Sequence, residues 1–86
     1  MNEKVKEALD FVVNSTDYPR YAYMTLSRCK MDCNFYLGYG NRKNDVLYMG
    51  NPQDHIDFMK ALWQHLDEKP EWLTIEQINE FEKQMS

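Results

Sequence analysis

The sequence predicts a mainly α fold, a compact four-helix domain with one short extended segment near residues 46–49. Three observations carry that expectation. Apolar residues recur at helical spacing in four separate stretches, and caps or prolines stand where those stretches would begin. Only three glycines and three prolines occur in 86 residues, too few for an elaborate loop fold. A chain of this length is expected to be a single domain over residues 1–86, with a core small enough that large side chains must carry it. Six Tyr, four Phe, two Trp and six Met supply them.

In the first helix, about residues 2–14, Met1, Val5, Ala8, Leu9 and Val12 share one face, opposite Glu3, Glu7 and Asp10. The turn formers Asn14-Ser15-Thr16-Asp17 end it. Because Pro19 is tolerated in a first turn, the second helix is expected to begin near Asp17 or Tyr18. That helix, about 18–37, carries two apolar stripes: Ala22, Leu26, Cys29, Cys33, Tyr36 and Leu37 on one side, Tyr21, Met24, Met31 and Phe35 on the other. Only a strip around Ser27, Lys30 and Asn34 is left for water, so this helix is expected at the centre, with neighbours on two sides. Arg28 and Asp32 lie between the stripes, and crowding there requires them to pair with each other or with backbone.

Gly38 is expected to end the helix in a left-handed conformation. Tyr39-Gly40-Asn41-Arg42-Lys43-Asn44-Asp45 then reads as a turn with two cations at its tip. Val46-Leu47-Tyr48-Met49 is expected to lie extended on the core. Asn51 caps a third helix with Pro52 at its first position and Asp54 at its positive end, and Ile56, Met59, Leu62, Trp63 and Leu66 form its buried stripe through about residue 67. His55 projects into the same stripe. After a short connector, Trp72 and Leu73 are expected to pin the chain to the core. Thr74-Ile75-Glu76-Gln77 is a capping box for a last helix whose apolar face is Ile75, Ile78, Phe81 and Met85.

The first residues mix acidic side chains into an apolar stretch and offer no small-residue cleavage site, unlike a secretory signal. No apolar run approaches the ~18 residues of a membrane span, so a cytoplasmic protein with no membrane association and reduced cysteines is expected. The net charge is −4, but its sign is segregated: −2 over residues 1–19, +4 over residues 20–43 and −6 over residues 44–86. Such a charge dipole can dock a partner or close on itself.

Cys29, Cys33, His55 and His65 invite a zinc site, yet paired zinc cysteines normally sit on a turn, and these fall within a packed helix. Neither metal nor cofactor is expected. A nucleophilic thiol needs an electropositive, partly exposed niche, and Cys33 falls on the apolar stripe. Gly38-Tyr39-Gly40 lacks a third glycine and follows a helix, which excludes a dinucleotide fingerprint. The pairs Asp54/Asp57 and Glu76/Glu80 read as solvated carboxylates on polar faces. No catalytic residue emerges, and the protein is expected not to be an enzyme. Arg20, Arg28, Lys30, Arg42 and Lys43 interleave with aromatic residues, as in surfaces that bind nucleic acid, so a nucleic-acid-binding module using the basic segment 20–43 is one reading. A protein partner suits the acidic second half and the projecting basic turn better. Its candidate binding residues are Arg28, Tyr39, Asn41, Arg42 and Lys43.

Leu26-Ser27-Arg28, Asp32-Cys33-Asn34-Phe35-Tyr36-Leu37-Gly38, Gly40-Asn41-Arg42 and Lys69-Pro70-Glu71-Trp72-Leu73-Thr74 together resemble a module of the large polyvalent protein-associated domain group. The resemblance spans roughly residues 24–86 and leaves the first helix outside. It implies a setting of phage and conjugative-element proteins that accompany incoming DNA and help it establish, sometimes against host defence. It brings no catalytic residues. The function expected from it is a small non-enzymatic accessory protein of a mobile genetic element that binds a protein partner, with a host-defence nuclease as the candidate target. The alternatives are the nucleic-acid module and a stand-alone structural domain.

Overall fold

A computed structural model describes residues 2–86 as four helices, α1 (Glu3–Val13), α2 (Arg20–Leu37), α3 (Pro52–His65) and α4 (Ile75–Met85), with a 3-10 turn at Asn44–Val46. Among the described residues there is no strand, and the mainly α, four-helix expectation holds. Met1, expected on the first helical face, lies outside the described residues.

Three of the four helices begin at the caps that the sequence supplies. The side chains of Asn2, Asn51 and Thr74 accept from the backbone N–H of Val5, Asp54 and Gln77, and Gln77 returns a bond to complete the capping box. The second helix starts later than Asp17 or Tyr18. Residues 16–19 form a turn in which the Tyr18 N–H donates to the Ser15 carbonyl at 3.1 Å, and Pro19 occupies the cap position with no side-chain bond.

The central helix is α3, which packs against α1, α2 and α4 and buries His55, Ile56, Phe58, Met59 and Leu62. The expectation that placed α2 there is corrected. Ala22, Leu26, Cys29, Cys33 and Tyr36 of its first stripe are buried, but on the second Met24 is 59% exposed, Met31 67% and Phe35 47%. Arg28, expected between the stripes, falls within the second, four residues after Met24 and three before Met31. Covering it would strand a guanidinium in a low-dielectric interior at several kcal/mol. Leaving a methionine wet forgoes only about 2 kcal/mol, so exposure is the smaller loss. Arg28 and Asp32 do pair as the sequence requires: Arg28 Nε lies 3.7 Å from Asp32 Oδ2, which also accepts from the Tyr48 N–H at 3.1 Å.

Val46–Met49 lies on the core through buried Leu47 and Met49, but the extended run expected there is reduced to Leu47: Val46 closes the 3-10 turn, Tyr48 and Met49 form a further turn, and Tyr48 stacks on Phe58 at 5.4 Å. Asp54 is corrected from a solvated to a buried carboxylate. It accepts from Asn2 Nδ2 at 2.6 Å and Asn51 Nδ2 at 2.8 Å, so the caps of α1 and α3 converge on it. Those bonds, with Lys4 nearby, hold its carboxyl below the usual carboxylate range. On the far side, Lys60 reaches Glu82 at 2.7 Å and ties α3 to α4.

The connector from Leu66 to Thr74 is held by side chains. Tyr23 Oη donates to the Glu68 carbonyl at 2.6 Å, Lys30 Nζ to Trp72 at 2.6 Å, and Trp63 Nε1 to Leu73 at 2.9 Å. Lys69 folds back on the carbonyls of Leu66 and Gln64. Leu73 is the apolar pin expected here, whereas Trp72 remains 40% exposed, with the Lys30 ammonium 6.0 Å from its ring.

Candidate partner-binding site

The end of α2 determines the shape of the turn at residues 38–45. A helix leaves its last carbonyls without partners, and here the turn folds back to satisfy three of them. The Gly38 N–H donates to Asn34 O at 3.1 Å, Gly40 to Phe35 O at 2.7 Å and Arg42 to Tyr36 O at 2.9 Å. Gly40 is indispensable to that path, because a Cβ there would stand 2.7 Å from the Phe35 carbonyl oxygen and 3.0 Å from its ring. Gly38 does not take the left-handed conformation expected of it, having φ −108°. The left-handed residues are Asn41 (φ 51°) and Arg42 (φ 59°), which reverse the chain beyond Gly40. Asparagine accepts that region readily, whereas arginine pays roughly 1–2 kcal/mol.

This geometry brings four of the five candidate residues together. Tyr39, 92% exposed, Asn41, Arg42 and Lys43 all project from the turn. The Arg42 guanidinium lies 6.0 Å from the Tyr36 ring, and among the described residues no carboxylate is within ion-pairing distance of Arg42 or Lys43. Both cations stand beyond the negative end of α2, where its dipole favours them. Arg28 is not part of this cluster. It lies ten residues before Gly38 on α2, about 15 Å along the axis at 1.5 Å per residue, over the Tyr48 ring at 5.1 Å.

The thiols lie away from this surface. Cys29 and Cys33 are fully buried, and burial, reinforced by Asp32, pushes Cys33 up to about 12 and Cys29 upward as well. Cys33 Sγ sits 3.6 Å from Met59 Sδ. His55 turns its ring to the Cys29 carbonyl, with Nε2 at 3.0 Å, and presents no nitrogen to either sulfur. Among the described residues, no three His, Cys, Asp or Glu side chains gather in a metal-binding group. Nor, among the described residues, is any helix long and apolar enough to cross a membrane.

Sequence reasoning missed the outward row of α2, where Met24, Met31 and Phe35 are exposed and were expected in the core. One signal for it was present. Arg28 interrupts the row at its midpoint, and a core stripe seldom carries an arginine there.

Residues 19–85 match the family model described as large polyvalent protein-associated domain 11. No curated protein and no solved structure matches. The chain belongs to the large polyvalent protein-associated domain 11 family, and α1 precedes the matched region.

Proposed function

From membership in that family, we propose that the protein is a non-enzymatic accessory protein of a mobile genetic element, acting in the cytoplasm by binding a protein partner through the turn at residues 38–45. The observation that carries this reading is Arg42. The turn needs left-handed backbone at this position, but glycine would adopt it with less strain, so an arginine kept there, at an exposed tip and with no carboxylate among the described residues to hold it, is strain of the kind that concentrates at binding sites. What supports a non-enzymatic role is the placement of the chain's nucleophiles, since both thiols are buried and held protonated. The partner class favoured is a host-defence nuclease, because residues 44–86 carry −6 and acidic surface suits a basic DNA groove.

Arg42→Ala with Lys43→Ala tests the assignment. Alanine bears the same left-handed strain as arginine, so melting should stay within about 0.5 kcal/mol of the parent. Capture of a partner from host lysate should weaken by 2 kcal/mol or more, about thirtyfold, if Arg42 is a hot spot. Retained capture in this variant, together with its loss in Glu76→Lys with Glu80→Lys, would move the site to the acidic surface of α4. The nucleic-acid reading gains from Phe35 and Tyr39 being exposed beside the two cations. Salt-sensitive binding to DNA or RNA that vanishes with Arg42 and Lys43 would establish that reading instead.

A further inference from the structure

We propose that the recess between the start of α2 and the chain just beyond α3 is a binding site for a guanidinium group, supplied by an arginine side chain of a protein partner. The inference rests on the protein-binding reading but uses a different surface from the turn. Tyr18, Pro19 and Tyr23, together with Asp67 and Glu68 of the connector, line an open volume of about 380 Å³. That is the small end of the roughly 300–1,000 Å³ range of ligand sites, so the recess admits one long side chain. Its aromatic wall is set before anything binds. Tyr23 Oη donates to the Glu68 carbonyl at 2.6 Å and Tyr18 Oη to the His65 carbonyl at 3.4 Å, while the Tyr18 ring meets the His65 ring edge-on at 5.6 Å. With both hydroxyls engaged on backbone, the tyrosines are left to offer their rings.

No group of the chain itself fills the recess. Among the described residues, neither Asp67 nor Glu68 has an ion-pair partner. The neighbouring cations are committed elsewhere, Lys69 to the carbonyls of Gln64 and Leu66 and Arg20 to Asp17 at 3.1 Å. At other rings the chain supplies its own cation, as with Arg28 over Tyr48 and Lys69 over Trp63, both at 5.1 Å. Among the described residues, Tyr18 and Tyr23 have none. Burial raises the pKa of the Tyr18 hydroxyl, and Asp67 stands close enough to add to the effect. Two carboxylates alone would be ordinary solvated surface. Beside tyrosine rings they select a flat cation, because a guanidinium stacks on an aromatic face and presents its N–H fork to carboxylates at its edge, whereas an ammonium is a compact, strongly hydrated point charge. The positive end of α2 and the negative end of α3 adjoin the recess and offset each other, which leaves the carboxylates to set its sign.

Three blocked amino acids test the proposal by titration into the isotope-labelled protein: N-acetyl-arginine methylamide, its lysine counterpart, and its citrulline counterpart as the neutral isostere. With the arginine compound, backbone amide shifts should saturate at millimolar concentration, centre on residues 18–23 and 66–69, and weaken as salt rises. The lysine and citrulline compounds should bind at least tenfold more weakly. Asp67→Asn with Glu68→Gln should raise the arginine Kd at least tenfold and leave melting unchanged, since neither carboxylate is held by a partner in the fold. Should that variant fold poorly all the same, the shift map of the parent and the arginine–citrulline comparison still decide. Equal binding of arginine with either counterpart, no saturable shifts, or shifts centred elsewhere would overturn the proposal. An arginine compound that binds while Asp67→Asn with Glu68→Gln leaves lysate capture unchanged would overturn the assignment to a partner. If no compound binds while Arg42→Ala with Lys43→Ala still abolishes lysate capture, the recess is refuted and the turn stands.

Discussion

His55 is the side chain whose protonation the fold opposes most directly. It is fully buried, and since a carbonyl can only accept, Nε2 carries the proton donated to Cys29 O while Nδ1 has no hydrogen-bond partner. Charging the ring would bury an unpaired N–H, so its pKa falls below the ordinary 6.5. Burial is the main cause, and nearby Asp32 and Arg28 pull in opposite directions. The unfolded chain takes up a proton near pH 6.5 that the folded chain refuses until lower pH. Stability from this residue is therefore complete above about 6.5 and drains away as pH falls toward the folded value. Urea midpoints should hold steady from pH 8 to 7 and decline between 6.5 and 5, and His55→Gln should flatten that decline. An unchanged slope in the glutamine variant would assign it to other groups.

At the scale of the element, the exit of α2 depends on Gly40. Gly40→Ala should lower unfolding free energy by about 1–3 kcal/mol, because the new methyl meets backbone rather than a yielding side chain. A variant melting with the parent in a thermal scan would show that residues 38–43 shift without loss. The starts of α3 and α4 were legible in the sequence because a cap is a local device: Asn51-Pro52 and Thr74 with Gln77 announce their helices within four residues, whereas α2, which has no side-chain cap, begins later than expected. The centre of the bundle was not legible. Met24 and Met31 have helical spacing whether or not another helix covers them, and only the position of Arg28 hints that none does. Gly38 drew the left-handed assignment that belongs to Asn41 and Arg42, since which residue reverses the chain depends on the bonds Gly40 and Arg42 make back to Phe35 and Tyr36. The role of Asp54 was equally hidden, because its partner Asn2 lies 52 residues away.

For the whole molecule, the Leu66–Thr74 connector, which leads into α4, is the place where side chains of α2 and α3 converge. The carbonyls of Leu66, Glu68, Trp72 and Leu73 receive donors from Lys69, Tyr23, Lys30 and Trp63. Among the described residues, the amides of 67–69, 71 and 72 donate to no backbone or side-chain acceptor. Order in this segment therefore rests on its acceptors. Deuterium exchange reads donors, so these amides should exchange within seconds to minutes and give the signature of a loose loop. A protease reads the whole backbone and needs it unlatched. Limited trypsin digestion should spare Lys69, whose bond to Pro70 trypsin cuts poorly in any case, and Glu-C should cut slowly after Glu68 and Glu71 until Lys30→Met and Tyr23→Phe release the latch. Two probes of mobility should thus disagree about the same nine residues, and fast Glu-C cleavage of the parent protein would show that the latch does not hold.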